Sequence, residues 1–208
     1  MRLEELIGYR QELGQRLSPG QVGHLLMRRG FTRLGGGTFG EVFQPPGKDY
    51  VLKLIDADDR AYLDFIRKAK PSGNPHFPQV IGAPVRVTSM VNAVRLEPLQ
   101  QLTRSRNDER EALVWFTWAA QEPNWMERLK EPGMEHHQRI VMDLLEKHPN
   151  LVRAMELLRQ WKSATPGARW DLHPGNIMMR GTVPVIIDPW MPITRGEEVV
   201  DAIRAKLR

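Results

Sequence analysis

Asp171, Asn176 and Asp188 have the residue types and spacing that phosphoryl transfer requires. In-line displacement on ATP needs a carboxylate at the incoming hydroxyl and further oxygen ligands that hold magnesium on the phosphates. Asp171 and Asn176 stand at the two ends of Asp171-Leu172-His173-Pro174-Gly175-Asn176, a stretch that Pro174 and Gly175 help to turn. Asp188 closes the apolar run Val183-Pro184-Val185-Ile186-Ile187, so a buried strand delivers a charge that needs a partner such as a metal. In this chemistry Asp171 orients the acceptor hydroxyl and takes its proton late. Asn176 and Asp188 ligate magnesium, with manganese as a substitute, and His173 hydrogen-bonds the γ-phosphate or offsets developing charge. The competing structural readings are plain: two turn formers with a surface histidine, and a turn after a strand at Asp188-Pro189.

A second group lies far upstream. Leu34-Gly35-Gly36-Gly37-Thr38-Phe39-Gly40-Glu41-Val42 fits Gly-x-Gly-x-x-Gly-x-Val, in which Gly35, Gly37 and Gly40 let backbone amides close over phosphates, with Thr38 and Phe39 between them and Val42 after. Alone, such a segment reads equally as a hairpin turn. It is not a dinucleotide fingerprint, because β-like residues follow the last glycine where that motif requires a helix. Lys53 alternates with Val51 and Ile55 on an otherwise apolar strand, a position that a core role explains poorly; the alternative is an edge-strand lysine facing solvent. Lys53 suits the α- and β-phosphates, oriented by an acid on the following helix; both Asp59 and Asp64 are candidates.

These groups need elements to hold them. Residues 2 to 30 carry two helical patterns, one through Leu3, Leu6, Ile7 and Leu13, the other from Ser18-Pro19 to Gly30. Short β-like runs follow at Phe31–Leu34, Glu41–Phe43 and Tyr50–Ile55, then a helix capped at Asp58-Asp59, with Tyr62, Phe65, Ile66 and Ala69 on one face and a break at Pro71. Strands are expected at Pro84–Ser89 and Asn92–Leu96, and helix from Asp108 to about Ala164. The helical faces run through Leu113, Phe116 and Ala120, then Ile140, Leu144, Leu145, Leu151, Met155 and Leu158. The fold class is α+β: a helical extension over 1–30, a small antiparallel lobe over 31–97, and a reduced, mainly helical lobe over 98–208 carrying the catalytic and metal loops.

Composition bounds the rest. A chain of 208 residues with 41% hydrophobic side chains can bury a core, and zero cysteines exclude disulfides, thiolate catalysis and Cys-based zinc sites. No apolar run approaches the roughly 20 residues of a bilayer span, and the N-terminus lacks a signal-peptide core, so a cytoplasmic protein without membrane association is expected. The net charge of +5 raises the question of nucleic acid, but the basic residues are interspersed with acids, as in Arg104–Arg110, which argues against it. His136-His137 reads as a solvated pair pointing apart on a helix, and the six tryptophans as packing anchors.

Taken in order, the Gly-rich segment, Lys53, Leu96-Glu97-Pro98-Leu99, the Asp171/Asn176 loop and Asp188 resemble the protein-kinase-like superfamily over roughly residues 31 to 190. The likeness implies a bilobal kinase fold. It also implies a hinge at which backbone groups near Glu97 and Leu99 meet adenine and Leu96 acts as gatekeeper. Asp-Leu-His-Pro-Gly-Asn looks like the catalytic loop of aminoglycoside and choline phosphotransferases. Together with Asn176-Ile177-Met178-Met179 and Ile187-Asp188-Pro189, it looks most like small phage-encoded serine/threonine kinases and minimal bacterial effector kinases. Such an origin would put the protein in a host cytosol. Two departures stand out: Arg169-Trp170 occupies the place of His-Arg, and Asp188-Pro189-Trp190 that of Asp-Phe-Gly. Few residues follow Asp188, so a kinase without a conventional activation segment is expected. Its partners are ATP and a protein Ser/Thr substrate; the alternatives are a small-molecule phosphotransferase and a non-catalytic nucleotide-binding module.

Overall fold

The computed structural model describes residues 16–102 and 107–192. The helical pattern through Leu3 and Leu13 and the chain after Pro192 lie outside the described residues. The chain divides into two compact units, one formed by residues up to Ile66 with Pro78–Leu99, the other by Arg67–Phe77 with residues from Gln100 onward.

In the first unit, helix α1 (Pro19–Arg28) starts where the sequence says it should. The Ser18 N–H donates to Gln21 Oε1 and the Gln21 N–H to Ser18 Oγ, a reciprocal cap that satisfies two otherwise orphaned amides. Its buried residues Val22 and Leu26 pack with Phe31, Phe43, Leu52, Leu54, Val91 and Ala93. Those side chains belong to one face of an antiparallel sheet, so residues 19–28 cover the back of that sheet. The sheet has five strands in the order β1 (Thr32–Gly37), β2 (Gly40–Gln44), β3 (Val51–Asp56), β5 (Val91–Leu96), β4 (Val80–Arg86). The expected strand at Pro84–Ser89 is displaced to Val80–Arg86. It forms the sheet edge, and its register shifts between Ile81 and Val85, where Gly82 adopts φ 80° and Pro84 has no N–H to donate.

Helix α2 (Arg60–Ser72) begins at Asp59, whose Oδ1 accepts the Tyr62 N–H at 3.0 Å. Pro71 does not break the helix. It sits in the last turn, where only one main-chain bond is lost, and Gly73 at φ 64° makes the stop.

In the second unit, the long helical pattern resolves into α3 (Asn107–Ala119), α4 (Trp125–Arg128), α5 (Glu135–Lys147) and α6 (Asn150–Ser163). The interruptions coincide with Pro123, Gly133 at φ 89° and Pro149. Leu113, Phe116, Trp125, Ile140, Leu144, Leu151, Met155 and Leu158 are buried, as the 3.6-residue period requires. Two small antiparallel sheets complete it: β6 (Gln100–Gln101), β8 (Ile177–Arg180) and β9 (Val183–Ile186) in the order β6-β8-β9, and β7 (Ala168–Trp170) with β10 (Trp190–Pro192). The architecture is α+β, with a small antiparallel β unit and a mainly helical one. Among the described residues no helix is long and apolar enough to cross a membrane.

Candidate functional site

Strands β1 and β2 form the Gly-rich hairpin, with Gly37 opposite Gly40 and Thr38-Phe39 at its tip. The Asp56 N–H donates to the Phe39 carbonyl at 2.9 Å, which ties the tip to the end of β3. Gly40 is there for space: a Cβ on it would lie 2.5 Å from the Leu54 carbonyl oxygen. Gly35 and Gly37 differ, since a Cβ on either would meet nothing within 4 Å. Internal packing therefore does not require a glycine at either position.

Lys53 pairs with Val42 on β2 and Val94 on β5, so the three side chains share one face, opposite the α1-covered core. Its Nζ lies 3.5 Å from the centroid of the Tyr62 ring. Tyr62 is buried in the first turn of α2 and meets Phe65 edge-on with centroids 6.1 Å apart. Of the two candidate acids, Asp59 is buried and caps α2, while Asp64 is half-buried on the same helix. The sequence marked Tyr62 only as an apolar helix face; Lys53 on the facing strand was the available signal that one ring would meet a charge.

At the expected hinge, Leu96 is buried and pairs with Val51 and Val80. Glu97 is clamped to Gln79: the Glu97 N–H donates to the Gln79 carbonyl at 3.1 Å, and the Gln79 N–H donates to Glu97 Oε1 at 2.7 Å. The Glu97 N–H is therefore already used within the sheet edge.

In the second unit the loop after β7 brings Asp171, Asn176 and Asp188 together through main-chain bonds. The Asp171 N–H donates to the Pro189 carbonyl and the Ile187 N–H to the Asn176 carbonyl, both at 2.9 Å. Asp188 sits between these two bonds, so its backbone is fixed to both ends of the loop at once. Asn176 Nδ2 donates to the Asp171 carbonyl at 2.6 Å and to Asp171 Oδ2 at 3.1 Å. With its nitrogen so engaged, the amide keeps its oxygen for a cation. The pairing of Trp190 with Trp170 and Met191 with Arg169 locks the far side of Asp188, and Trp190 is buried.

His173 is exposed and caps the 3-10 turn Pro174–Asn176. The Gly175 N–H donates to His173 Nδ1 at 3.1 Å, which makes Nδ1 the acceptor and Nε2 the proton-bearing nitrogen of the neutral ring. Nε2 lies 3.8 Å from Asp171 Oδ1, an electrostatic contact longer than a hydrogen bond.

No group of three or more His, Asp or Glu side chains that would cage a metal occurs among the described residues. An amide oxygen and a carboxylate on segments joined by main-chain bonds are still the donor types that magnesium takes, a hard ion that uses one or two protein oxygens and completes its shell with phosphates and water.

Beneath this site lies a histidine pair that the sequence did not reveal. His76 is buried; its carbonyl accepts the Ile186 N–H at 2.9 Å, and its Nδ1 pairs with the Pro184 carbonyl at 2.8 Å, so the ring N–H donates there. The His148 ring meets it edge-on, with centroids 5.7 Å apart. Burial lowers the His76 pKa, with the nearby His148 and Arg180 adding to the effect and the Pro184 bond opposing it. Burial also lowers that of His148, against the pull of Glu109. Elsewhere, His136 and His137 do not point apart: their Nε2 atoms lie 3.3 and 3.7 Å from the same Glu111 oxygen. Nor is every tryptophan a buried anchor, since Trp118 is 52% exposed beneath Arg128.

One unit carries a glycine hairpin and a strand-borne lysine, and the other a carboxylate–amide loop bonded to the segment between β9 and β10 that holds Asp188. The chain is similar to solved structures of WbdD with the kinase inhibitor LY294002 (18% identity, TM-score 0.36), covering 81% of this chain and 34% of that one. It is similar also to the aminoglycoside phosphotransferase APH(4)-Ia with ADP and hygromycin B (16%, TM-score 0.38, 87% and 75% covered), and to APH(2")-IIa with streptomycin and ATP (12%, TM-score 0.34, 85% and 73%). The chain thus spans about a third of the length of WbdD. No family model matches the chain, and no curated protein matches it.

Proposed function

We propose that the protein is an ATP-dependent phosphotransferase that moves the γ-phosphate to a Ser/Thr hydroxyl of a protein substrate. The observation that supports this is the double main-chain tie, Asp171 to Pro189 and Asn176 to Ile187, which joins the segments that carry Asp171, Asn176 and Asp188. Asp171 accepts a hydrogen bond from the acceptor hydroxyl and takes its proton as the bond to phosphorus forms. Asn176 Oδ1 and the Asp188 carboxylate would hold the magnesium, which supplies charge neutralisation on the phosphates when bound. Lys53 binds the α- and β-phosphates, the amides between Gly35 and Gly40 close over them, and Val42, Leu96, Glu97 and Leu99 take the adenine. His173, with a proton on Nε2 beside Asp171, donates to a phosphate oxygen.

Incubation with radiolabelled ATP, magnesium and generic protein substrates tests the assignment, with Asp171→Ala and Lys53→Ala as controls. Labelling by the wild type that both variants lose is expected; unchanged labelling in both overturns the catalytic roles. The Asp-Leu-His-Pro-Gly-Asn loop also suits a small-molecule hydroxyl as acceptor. A parallel arm with aminoglycosides, choline and sugars separates the two acceptors.

A further inference from the structure

We propose that Tyr62 is a positioning residue for Lys53, its ring face holding the ammonium in the orientation from which it meets the phosphates. This deepens the phosphotransfer reading and rests on it. Val42 and Val94 flank Lys53 across the strands, a Cβ on Gly40 would stand 3.5 Å from Lys53 Cε, and the ammonium lies 3.5 Å from the Tyr62 ring centroid. The first three guide the aliphatic stem, and the ring meets the charge.

That placement is built, not incidental. Tyr62 is 1% exposed, its N–H is bonded to the capping Asp59, and Phe65 packs edge-on against it, so neither helix position nor ring plane is free to drift. An aromatic face attracts a cation through its quadrupole, most strongly where water is excluded. It does so without carrying a negative charge of its own. The ring face therefore directs the Lys53 ammonium.

The test separates ring electrostatics from packing. Replacing Tyr62 in the full chain with phenylalanine and then with mono-, di- and trifluorophenylalanine keeps the shape while draining the ring face of negative potential. The expected result is that kcat/KM for ATP falls stepwise with fluorination from the Tyr62→Phe value, to a total loss of roughly 2- to 30-fold. A flat series overturns the proposal, as does a Phe variant as impaired as the most fluorinated one. Reductive 13C-methylation of the lysines gives a readout independent of catalysis. The Lys53 signal, assigned by its loss in Lys53→Arg, should lie upfield from the Tyr62 ring current and stay there in Tyr62→Phe. An unshifted signal removes the contact even if phosphotransfer is confirmed, and a shifted signal in a protein that transfers no phosphate discards the enzyme reading while the contact stands.

Discussion

Lys53 and the Asp171–Asn176 loop reach their positions by opposite means. Lys53 is on a regular strand, and its last atoms are placed by side chains: two valines, the tight Gly40 backbone and the Tyr62 ring. The loop has little regular structure and is placed by main-chain bonds to the segment that carries Asp188. A strand needs only neighbours to fix its backbone, so its functional side chain depends on packing. A loop has no ladder of its own, so a site built on it must take hydrogen bonds from elsewhere. The two regions should therefore respond differently to substitution. Side-chain changes in the loop should remove chemistry and leave the fold, whereas changes around Lys53 should disturb both.

The largest effect is expected from Asp171→Ala and Asp188→Ala. Each should lower the phosphotransfer rate by about 10²–10⁴-fold, the usual worth of a general base or an essential charge. Their thermal unfolding midpoints should stay near that of the wild type, because the main-chain bonds that hold the loop remain. Calorimetric melts check this, and a large drop in midpoint would break the contrast. Gly40→Ala should do the reverse by forcing a methyl against the Leu54 carbonyl. A cost of about 1–3 kcal/mol, measured by urea denaturation, is expected with the hairpin distorted above Lys53.

The buried histidines give a pH dependence of known sign. His76 and His148 both have folded pKa values below the ordinary 6.5, so between the folded and unfolded values the unfolded chain binds more protons. Their contribution to stability is present above that value and is lost as pH falls below it. Urea midpoints taken about one pH unit to either side should drop on the acid side, and His76→Gln should flatten that slope. Because His76 braces β9 ahead of Asp188, a matching acid-side loss of magnesium affinity, read by titration of the phosphotransfer rate, would tie that brace to the site. The smallest stability effect is expected for Gly37→Ala. With open space around the glycine, unfolding free energy should change by less than about 0.5 kcal/mol while ATP affinity weakens. Equal affinity would remove the hairpin from the nucleotide site.

Where one element suffices, the sequence was legible. The Ser18 cap, the alternation around Lys53 and the helical faces through Leu113 to Leu158 all rest on short-range stereochemistry. Edge behaviour was not: β4 lies upstream of where apolar content placed it, because pairing with β5 and the bulge at Gly82–Pro84 decide its bounds. The short strands β6, β7, β8 and β10 carry too little pattern to announce themselves and exist through their partners.

The same division runs through the candidate site. Residue type and spacing alone determined which groups are candidates for phosphoryl transfer, since a carboxylate, an amide and a lysine are the functional groups that this chemistry draws on. Only the tertiary structure decided that Asp188 is bonded on both sides to the Asp171–Asn176 loop, that the Lys53 ammonium rests on Tyr62, and that His76 braces β9. Each of those contacts joins residues distant in the chain, and no local propensity encodes a partner that folding alone brings near.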